Sequence, residues 1–390
     1  MRKSQVATEA KTVTRAEVIR KAIEGRITWV QAASICRVTA RHMQRLRERY
    51  EEFKIEGLRD RRTGKRQPAR LDPKVVEELC RLKREKYADF SVRHFHEFAT
   101  EKHKIKVSYT WTLTVLQARG LVPKAPSRGK YRRRRERRPM VGILIHQDGS
   151  THEWMKGKTR DLIVTMDDAD GRILDARFVA EEGTVSSLTA IAAVLRKHGR
   201  FCEFYTDRGS HYCRTSKAGE GPDEVQNGQV TRVLKTLGIR QILARSPEAR
   251  GRSERAFGTI QGRLPQELAL EGITDYEAAQ AYLQKVFVPS FNRRFTVKPE
   301  QAESAFIPLA GVDLDLLLSV QHDRIVQKDN TVTFGKLHLQ LVPGQDRLQY
   351  ARCPVLVHEM LNGNLAISFQ GKRIAMFDSQ GERIRQRSAA

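Results

Sequence analysis

The sequence predicts a multidomain protein with an all-α N-terminal part, a central α/β part and a β-rich C-terminal part. Apolar residues recur at helical spacing up to about residue 122, and the period changes to that of strands from Met140. Short alternating strands then fill the chain from about Val312. At 390 residues the chain is long enough for two to four domains, each with its own core.

The charge of the chain is strongly basic, with 71 Lys and Arg residues against 46 Asp and Glu and a formal net charge of +25. Such an excess repels itself unless the protein works against a polyanion, of which nucleic acids and anionic membranes are the usual examples. No run of residues approaches the roughly 18 apolar positions that span a bilayer, and the N-terminus lacks the apolar core of a signal peptide. We therefore expect a cytoplasmic protein with nucleic acid, and no membrane, as its partner.

The five cysteines predict neither a disulfide framework nor a zinc site, because they are widely spaced, odd in number and form no C-x-x-C pair. We interpret them as reduced thiols that lie mostly in cores. His94 and His96 are two residues apart on a predicted helix and so point to different faces, whereas metal ligands need a common face.

Residues 14–58 predict three short helices. The first has an apolar stripe at helical spacing, Thr28 can begin the second, and Thr39 can cap a third that runs to about Tyr50. This is the outline of a helix-turn-helix, and we assign it to residues 12–60.

The third of these helices has the pattern of a DNA-reading helix. Met43 and Leu46 are predicted to face inward, which leaves four polar side chains for a DNA groove: Arg41, Gln44, Arg45 and Arg49. Charged residues at helical spacing often form only a solvated face, and that alternative stays open.

A second helical unit is predicted at residues 70–122, with Ser91 and Ser108 at helix starts and Gly120 at a helix end. Its last helix suits a second DNA-reading helix. Trp111 and Leu113 suit a plain core equally well, and the sequence does not decide between these two interpretations.

A basic linker follows at residues 123–139. Eight of the eleven residues from Arg128 to Arg138 are basic, which no packed core accepts and which neutralisation of phosphates explains. The expected phosphate contacts are Arg128, Lys130, Arg132, Arg133, Arg134, Arg135, Arg137 and Arg138. A solvated tether is the structural alternative.

The central part has a characteristic order of elements, which we assign to residues 140–300. Strands are predicted at 141–147, 162–166 and 173–179, then a helix at 185–198, a strand at 201–206, a helix at 230–237, a strand at 239–243 and one long helix from Ser246 to about Leu270. Three antiparallel strands followed by β-α-β-α is the order of the ribonuclease H fold.

The C-terminal part, residues 312–385, is predicted to form a small β-barrel. Short alternating strands are expected at 331–334, 337–341, 355–357 and 365–369, and Asn362-Gly363 is a strong signal for a tight turn.

Three acidic residues are distinguished by their places on the predicted fold. Asp148 is expected to end the first strand and Asp207 to follow the fourth, and these two strands should be neighbours in the sheet. Glu254 lies one helical turn before Phe257, at the edge of the predicted buried face of the long helix. The three carboxylates are therefore expected to converge.

Three converging carboxylates repel one another unless cations join them. Hard oxygen ligands of this kind suit two Mg²⁺ or Mn²⁺ ions, which together can support in-line phosphodiester displacement. A lone acidic residue is more often a turn former, and we accept that interpretation for Asp167, Asp168 and Asp170.

Glu248 competes with Glu254 for the third position. Glu248 follows Ser246-Pro247 in the first helical turn, where the helix dipole favours an acidic side chain whatever its function. Glu254 is preferred because Gly251 and its flanking arginines would let DNA approach closely. Those arginines are then phosphate contacts or supports of the site: Arg250, Arg252 and Arg255.

Five segments together resemble the ISNCY-type insertion-sequence transposases, within the retroviral-integrase superfamily of DDE enzymes. They are Gln147–Trp154, Asp167–Arg172, Tyr205–Arg208, Ser246–Arg255 and Phe291–Phe295. The resemblance extends over nearly the whole chain. It implies a catalytic and metal-binding triad at Asp148, Asp207 and Glu254, and a bacterial, nucleoid-associated dimer or tetramer that brings two DNA ends together.

Two features depart from the wider superfamily. The interval from Asp207 to Glu254 is 47 residues, and the surplus is the stretch at 214–228, a surface insertion that costs little loop entropy. The N-terminus also lacks the His/Cys zinc domain of retroviral integrases, so only the catalytic core is compared.

The sequence thus predicts a transposase that binds the terminal repeats of a mobile element, hydrolyses a strand end and joins the freed 3′-hydroxyl to double-stranded target DNA. A helix-turn-helix regulator or a domesticated, inactive transposase is the alternative. A ribonuclease or repair nuclease of the same fold would cut without joining and ranks third.

Overall fold

The computed structural model describes residues 2–59, 72–124, 136–212, 228–244, 251–343 and 347–384. The chain divides into two compact units, Met1–Glu78 and Leu79–Ala390. The boundaries predicted for the finer domains stay predictions. None of the helices within the described ranges has the length and apolar character needed to cross a membrane.

The first unit is helical, as predicted, with α1 (Arg2–Ile23), α2 (Trp29–Ile35) and α3 (Ala40–Leu58). Thr28 caps α2 by accepting a hydrogen bond from the Gln31 amide, and Thr39 caps α3 in the same way. Helix α3 continues past its expected end at Tyr50 and is broken at Lys54, where φ is 51°. The core of the unit is drawn from all three helices: Ala16, Val18, Ile19, Ala22, Ala32, Ala33, Met43, Leu46 and Leu58.

Three more helices precede the sheet: α4 (Pro73–Glu85), α5 (Val92–Glu101) and α6 (Tyr109–Ala118). Ser91 and Ser108 cap α5 and α6, as the sequence predicts. On α6 the buried residues are Thr112 and Leu116, whereas Trp111 and Leu113 are half-buried.

Helix α5 is docked onto the α/β core through buried polar contacts. His94 Nε2 lies 2.9 Å from the Glu267 carboxylate, and both side chains are almost fully buried. The Arg263 guanidinium donates a hydrogen bond to each carboxylate oxygen of Glu97, at 2.6 and 3.1 Å. These contacts fix helix α5 to the α/β core.

The central part is a five-stranded sheet of β1 (Leu144–Met155), β2 (Lys158–Asp167), β3 (Ile173–Val179), β4 (Glu203–Thr206) and β5 (Arg240–Leu243). The strand order is β3-β2-β1-β4-β5. Strands β1, β2 and β3 pair antiparallel, and β4 and β5 are parallel to β1. This agrees with the strand order that the sequence predicts for the α/β part.

Helices cover both faces of this sheet. One face packs on α7 (Thr184–His198) and α8 (Gln229–Thr236) through a core that includes Ile145 and Phe204. The other face packs on α9 (Gly251–Gln261), α10 (Leu264–Leu270), α11 (Tyr276–Tyr282), a π-helical turn (Leu283–Phe287) and α12 (Val288–Phe295). Phe257, Ile260, Leu264 and Leu268, the predicted inward stripe, are all buried there.

Two expectations about this part are corrected by the structure. The first strand does not end at Asp148, because β1 stays paired with β2 as far as Met155 and the turn-like residues after Asp148 belong to the ladder. The single long helix is interrupted between α9 and α10. Pro265 explains the interruption, because a proline inside a helix removes a backbone donor and clashes with the preceding turn.

The C-terminal part contains α13 (Leu314–Leu317), β6 (Val320–Ile325), β7 (Thr331–Phe334), β8 (Leu337–Gln340), β9 (Pro354–Glu359), β10 (Leu365–Phe369) and β11 (Lys372–Phe377). Four of the strands form one sheet in the order β11-β10-β9-β6, and β7 and β8 form a hairpin. In the described part of this region the strands do not close into one barrel, so the predicted barrel is not confirmed.

Candidate functional site

Asp148 lies in the middle of β1, the central strand of the sheet. Its ladder partner in β2 is Val164, and only 7% of Asp148 is exposed. Paired residues in a sheet point to the same side, and Val164 belongs to the core on the α9 face. The Asp148 carboxylate is therefore directed to the α9 face of the sheet.

Asp207 follows β4, which is parallel to β1 and adjacent to it. The register pairs His146 with Tyr205, and the rings of these two residues are 4.9 Å apart. Asp148 lies two residues after His146, and Asp207 lies two residues after Tyr205. If the register of the two strands is extended by two residues, the aspartates lie opposite each other, on the same side of the sheet as His146 and Tyr205. The Asp207 Oδ1 atom also accepts a hydrogen bond of 2.8 Å from the Gly209 amide.

Glu254 is exposed and lies on the first turns of α9. Gln261, seven residues further on, shares its edge of the helix and donates a hydrogen bond of 2.8 Å to Ser150 of β1. Ser150 is two residues beyond Asp148 and points to the same side. The edge of α9 that carries Glu254 is thus the edge that faces the Asp148 side of β1.

The three predicted catalytic residues are not assembled as a metal centre. Among the residues that the structure describes, no group of three or more His, Cys, Asp or Glu side chains is placed to hold a metal ion. The carboxylate oxygens of Asp148 and Asp207 have the chemistry that Mg²⁺ and Mn²⁺ prefer. The donor types therefore fit such an ion, whereas a three-ligand arrangement with Glu254 is not formed.

Asp168 is the centre of a buried ionic cluster beside the candidate site. His146 Nε2 lies 2.7 Å from Asp168 Oδ1, the Arg138 amide donates to Oδ2 at 2.8 Å, and Arg252 forms an ion pair with the same carboxylate. Burial raises the pKa of Asp168, but the hydrogen bonds from these three groups outweigh it and hold the pKa below its ordinary value. Asp168 thus joins β1, α9 and the end of the linker.

The pKa of Asp167 is shifted in the opposite direction from that of its neighbour Asp168. Burial raises its pKa to about 6, although its carboxylate accepts hydrogen bonds from the Gly142 and Ala169 amides. Asp170 accepts a hydrogen bond from the Arg172 amide within the turn. These contacts favour the turn-forming interpretation of Asp167 and Asp170.

The arginines nearest the site have partners within the protein. Arg137 donates to the Asp168 and Ala169 carbonyls, at 3.0 and 3.3 Å, and Arg138 pairs with Glu203 at 2.6 Å. The side chain of Arg252 is 13% exposed and is held by Asp168. Arg252 was predicted either to contact phosphates or to support the site, and these contacts within the protein favour the supporting role.

The polar residues predicted on the DNA-reading helix differ in exposure. Arg41, Gln44 and Arg45 are exposed on α3, whereas Met43 and Leu46 are buried. Arg49 is half-buried, and its guanidinium donates to the Arg59 carbonyl at 3.4 Å. The first three side chains are available to a partner.

Several predicted positions lie outside the described residues. They comprise the rival Glu248, the insertion apart from Gly228, and the basic residues Arg128, Lys130, Arg132, Arg133, Arg134, Arg135 and Arg250. Their predicted roles stay predictions. Arg255 is described and exposed, and its side chain donates to the Gly251 carbonyl at 2.8 Å.

Two residues near the aspartates were missed by the sequence analysis. Glu182, just before α7, lies where a β-carbon on Gly149 would be, and its Oε1 is 3.4 Å from His211 Nε2. A β-carbon on Gly209 would in turn meet both His211 and Asp207. The Asp-Arg-Gly-Ser-His string after β4 is the signal that could have indicated His211, whereas Glu182 reaches the site only through the fold.

The similarities to known proteins follow the organisation of the chain. A helix-turn-helix domain family matches residues 14–66. The chain is 29% identical to y4bF of Sinorhizobium fredii, which carries the name of a transposase, over 94% of this chain and 80% of that protein. It is 23% identical to the transposase for insertion sequence IS1202 of Streptococcus pneumoniae, over 91% of this chain and 83% of that protein.

Two solved structures are also similar, each at 15% sequence identity. One is a simian T-cell lymphotropic virus intasome in complex with a PP2A regulatory subunit, with a TM-score of 0.36 over 76% of this chain and 100% of that chain. The other is the HTLV-2 integrase catalytic core domain in complex with magnesium, with a TM-score of 0.28 over 38% of this chain and 89% of that chain. Scores this low carry no conclusion. The chain is thus similar over more than nine-tenths of its length to two bacterial proteins named as transposases, one of them the transposase of an insertion sequence.

Proposed function

We propose that this protein is a DDE-type DNA transposase, in which Asp148, Asp207 and Glu254 form the catalytic triad. The observation that supports the proposal most directly is the register of β1 and β4, which pairs His146 with Tyr205 and, extended by two residues, would put Asp148 opposite Asp207. Similarity to transposases over more than nine-tenths of the chain supports the same reaction. Glu254 is the third member of the triad in this proposal.

The proposed reaction has two phosphodiester displacements. In the first, the oxygen of a water molecule bonds to phosphorus at the end of the element, and the bond to the 3′-oxygen breaks to leave a 3′-hydroxyl. In the second, that hydroxyl bonds to a target phosphorus, and a target 3′-oxygen leaves. The carboxylates of Asp148, Asp207 and Glu254 would hold two Mg²⁺ or Mn²⁺ ions, which would supply Lewis acidity at the reacting phosphate.

The protein's own residues orient the reacting DNA. The α9 edge that carries Glu254 faces β1, and Arg252 fixes the start of that helix to Asp168. Helix α3 reads the terminal repeats with the exposed Arg41, Gln44 and Arg45, and the helices at residues 70–122 contribute a second DNA-binding surface. The basic linker and the exposed Arg255 contact phosphates.

The assembly proposed on DNA is a dimer or tetramer that holds two element ends in the bacterial nucleoid. The C-terminal strands, residues 312–385, are proposed to belong to a small β-barrel.

A second candidate function is that of a helix-turn-helix regulator or a domesticated, inactive transposase. The exposure of Glu254 and the lack of an assembled three-ligand site in the described residues favour it. Incubation of the purified full chain with end-containing DNA and Mg²⁺ separates the candidates. A transposase produces both cut ends and joined strands, a regulator only bound DNA, and a nuclease cut ends without joints.

A further inference from the structure

Tyr212 connects the segment that carries Asp207 to the strand that carries Asp148. It is 1% exposed, and its hydroxyl donates a hydrogen bond of 2.7 Å to Gln147 Oε1. Gln147 is the residue directly before Asp148. Burial raises the pKa of Tyr212 well above its ordinary value, so the hydroxyl keeps its proton and remains a donor.

The other contacts of this pair leave little freedom to either side chain. The Gln147 amide nitrogen donates to Thr165 Oγ1 at 3.1 Å and to the Ser187 carbonyl at 3.4 Å. Ser187 Oγ donates to the Tyr212 hydroxyl at 3.2 Å, and the Tyr212 carbonyl accepts from Thr231 Oγ1 at 3.0 Å. Buried networks that are fully hydrogen-bonded hold their members rigidly.

The ladder between β1 and β4 does not reach Asp207, although β4 stays paired with β5 up to Thr206. The paired residues of β1 and β4 end with His146 and Tyr205, two positions before the two aspartates. From Asp207 onward, contacts other than the β1–β4 ladder hold the segment that reaches Tyr212. Its turn is closed by a backbone hydrogen bond of 2.9 Å from the Tyr212 amide to the Gly209 carbonyl.

We propose that Tyr212 is a positioning residue whose hydrogen bond to Gln147 keeps the carboxylates of Asp207 and Asp148 at the separation that a shared divalent cation requires. This inference rests on the proposed function. Tyr212 follows Asp207 by five residues and acts on it through the backbone, and it acts on Asp148 through Gln147. Residues that orient metal ligands in this way affect metal affinity by roughly 10- to 100-fold.

The test compares Tyr212→Phe with Tyr282→Phe in the full chain. Each change removes one hydroxyl from a tyrosine with a polar partner, and Tyr282 donates to Glu267 at 2.9 Å on the α10 side, away from the aspartates. Tyr212→Phe is expected to raise the Mg²⁺ concentration for half-maximal strand cleavage about tenfold. It is also expected to weaken Mn²⁺ binding by the DNA-free protein, measured by electron paramagnetic resonance, by a similar factor.

Ser187→Ala is the second variant, because it removes one partner of the Tyr212 hydroxyl and keeps the ring. It should shift both metal readouts in the same direction by a smaller factor and add nothing further when combined with Tyr212→Phe. If Tyr212→Phe fails to fold, Ser187→Ala alone decides.

A loss of thermal stability with unchanged metal readouts would make Tyr212 a structural residue only and overturn the inference. Equal shifts in Tyr212→Phe and Tyr282→Phe would also overturn it. Absence of Mg²⁺-dependent cleavage by the unaltered protein contradicts the proposed function, whereas the Mn²⁺ measurement still decides on Tyr212.

Discussion

Arg252, in the first turn of α9, forms an ion pair with Asp168, in the turn after β2, and this pair is almost entirely buried. The side chains are 13% and 1% exposed. Arg252 also donates to the Glu136 carbonyl at 2.7 Å, so one guanidinium joins α9, the sheet and the end of the linker. The pair therefore sets where the helix of Glu254 begins relative to the strand of Asp148.

Replacing Arg252 with methionine is expected to destabilise the protein by about 3 kcal/mol, because the buried Asp168 carboxylate loses its arginine partner and keeps only His146 and the Arg138 amide. The measurement is the free energy of unfolding in urea. Arg255→Met is the control, since Arg255 is exposed one turn away, and a change within about 0.5 kcal/mol is expected there. Equal effects in the two variants would show that the buried pair contributes nothing.

Lys83→Met is expected to cost about 2 kcal/mol of stability, because the buried ammonium of Lys83 donates to three backbone carbonyls that would be left without it. The acceptors are Tyr87, Ala88 and Phe90, at 2.6 to 2.8 Å. Lys86→Met, on an exposed side chain of the same region, is the control. Thermal melting of the full chain measures both, and an unchanged melt for Lys83→Met would refute this role.

Acid is expected to weaken the docking of α5 through His94. Burial lowers the pKa of His94, so the folded state favours neutral imidazole while the unfolded state takes up a proton near pH 6.5. The stability contributed by His94 is thus present above pH 6.5 and is lost as the pH falls below it. Burial also lowers the pKa of His198 and of His358, so both histidines likewise destabilise the fold as the pH falls. The pKa of Asp167 is raised to about 6, so its protonation stabilises the fold as the pH falls below that value.

His94→Gln isolates the histidine from these other groups. We expect the difference in unfolding free energy between the unaltered protein and this variant to shrink from pH 8 to pH 5. A difference that is constant across this range would contradict the assignment.

Arg45→Ala is expected to weaken binding to the element's terminal repeat by about 1 to 3 kcal/mol and to weaken binding to unrelated DNA less, if Arg45 contacts a base edge. Fluorescence anisotropy at fixed salt measures both affinities. Arg20→Ala removes an exposed charge from α1, where Arg20 is paired with Glu24 at 3.8 Å, and should leave the ratio of the two affinities unchanged. An equal loss on both DNAs would reduce Arg45 to a phosphate contact.

Much of the fold was predictable because it follows from local patterns. Thr28, Thr39, Ser91 and Ser108 cap helices where the sequence places them, since a cap is set by one side chain and the next turn. The sheet order followed from the sequence of strands and helices. The end of β1 did not, because Gly149-Ser150 has the composition of a turn while the pairing with β2 continues through it.

The site was predictable in part for the same reason. The places of Asp148 and Asp207 follow from strand order and register, which the sequence pattern contains. Glu182 and Tyr212 are recognisable only in space, because their partners, Gly149 and Gln147, are distant in the chain. The interruption between α9 and α10 was not predicted, because the apolar stripe continues past Pro265 and favours one unbroken helix.

The central claim is that Asp148, Asp207 and Glu254 act together in strand transfer. The most direct measurement is Mg²⁺-dependent cutting and joining of end-containing DNA by Asp148→Asn, Asp207→Asn and Glu254→Gln, with Glu248→Gln and the exposed Asp323→Asn as controls. We predict that each of the first three abolishes both steps while DNA binding persists, and that both controls remain active. Cutting and joining at the unaltered rate by the Asp148 or Asp207 variant, or by Glu254→Gln when Glu248→Gln is inactive, would contradict the account.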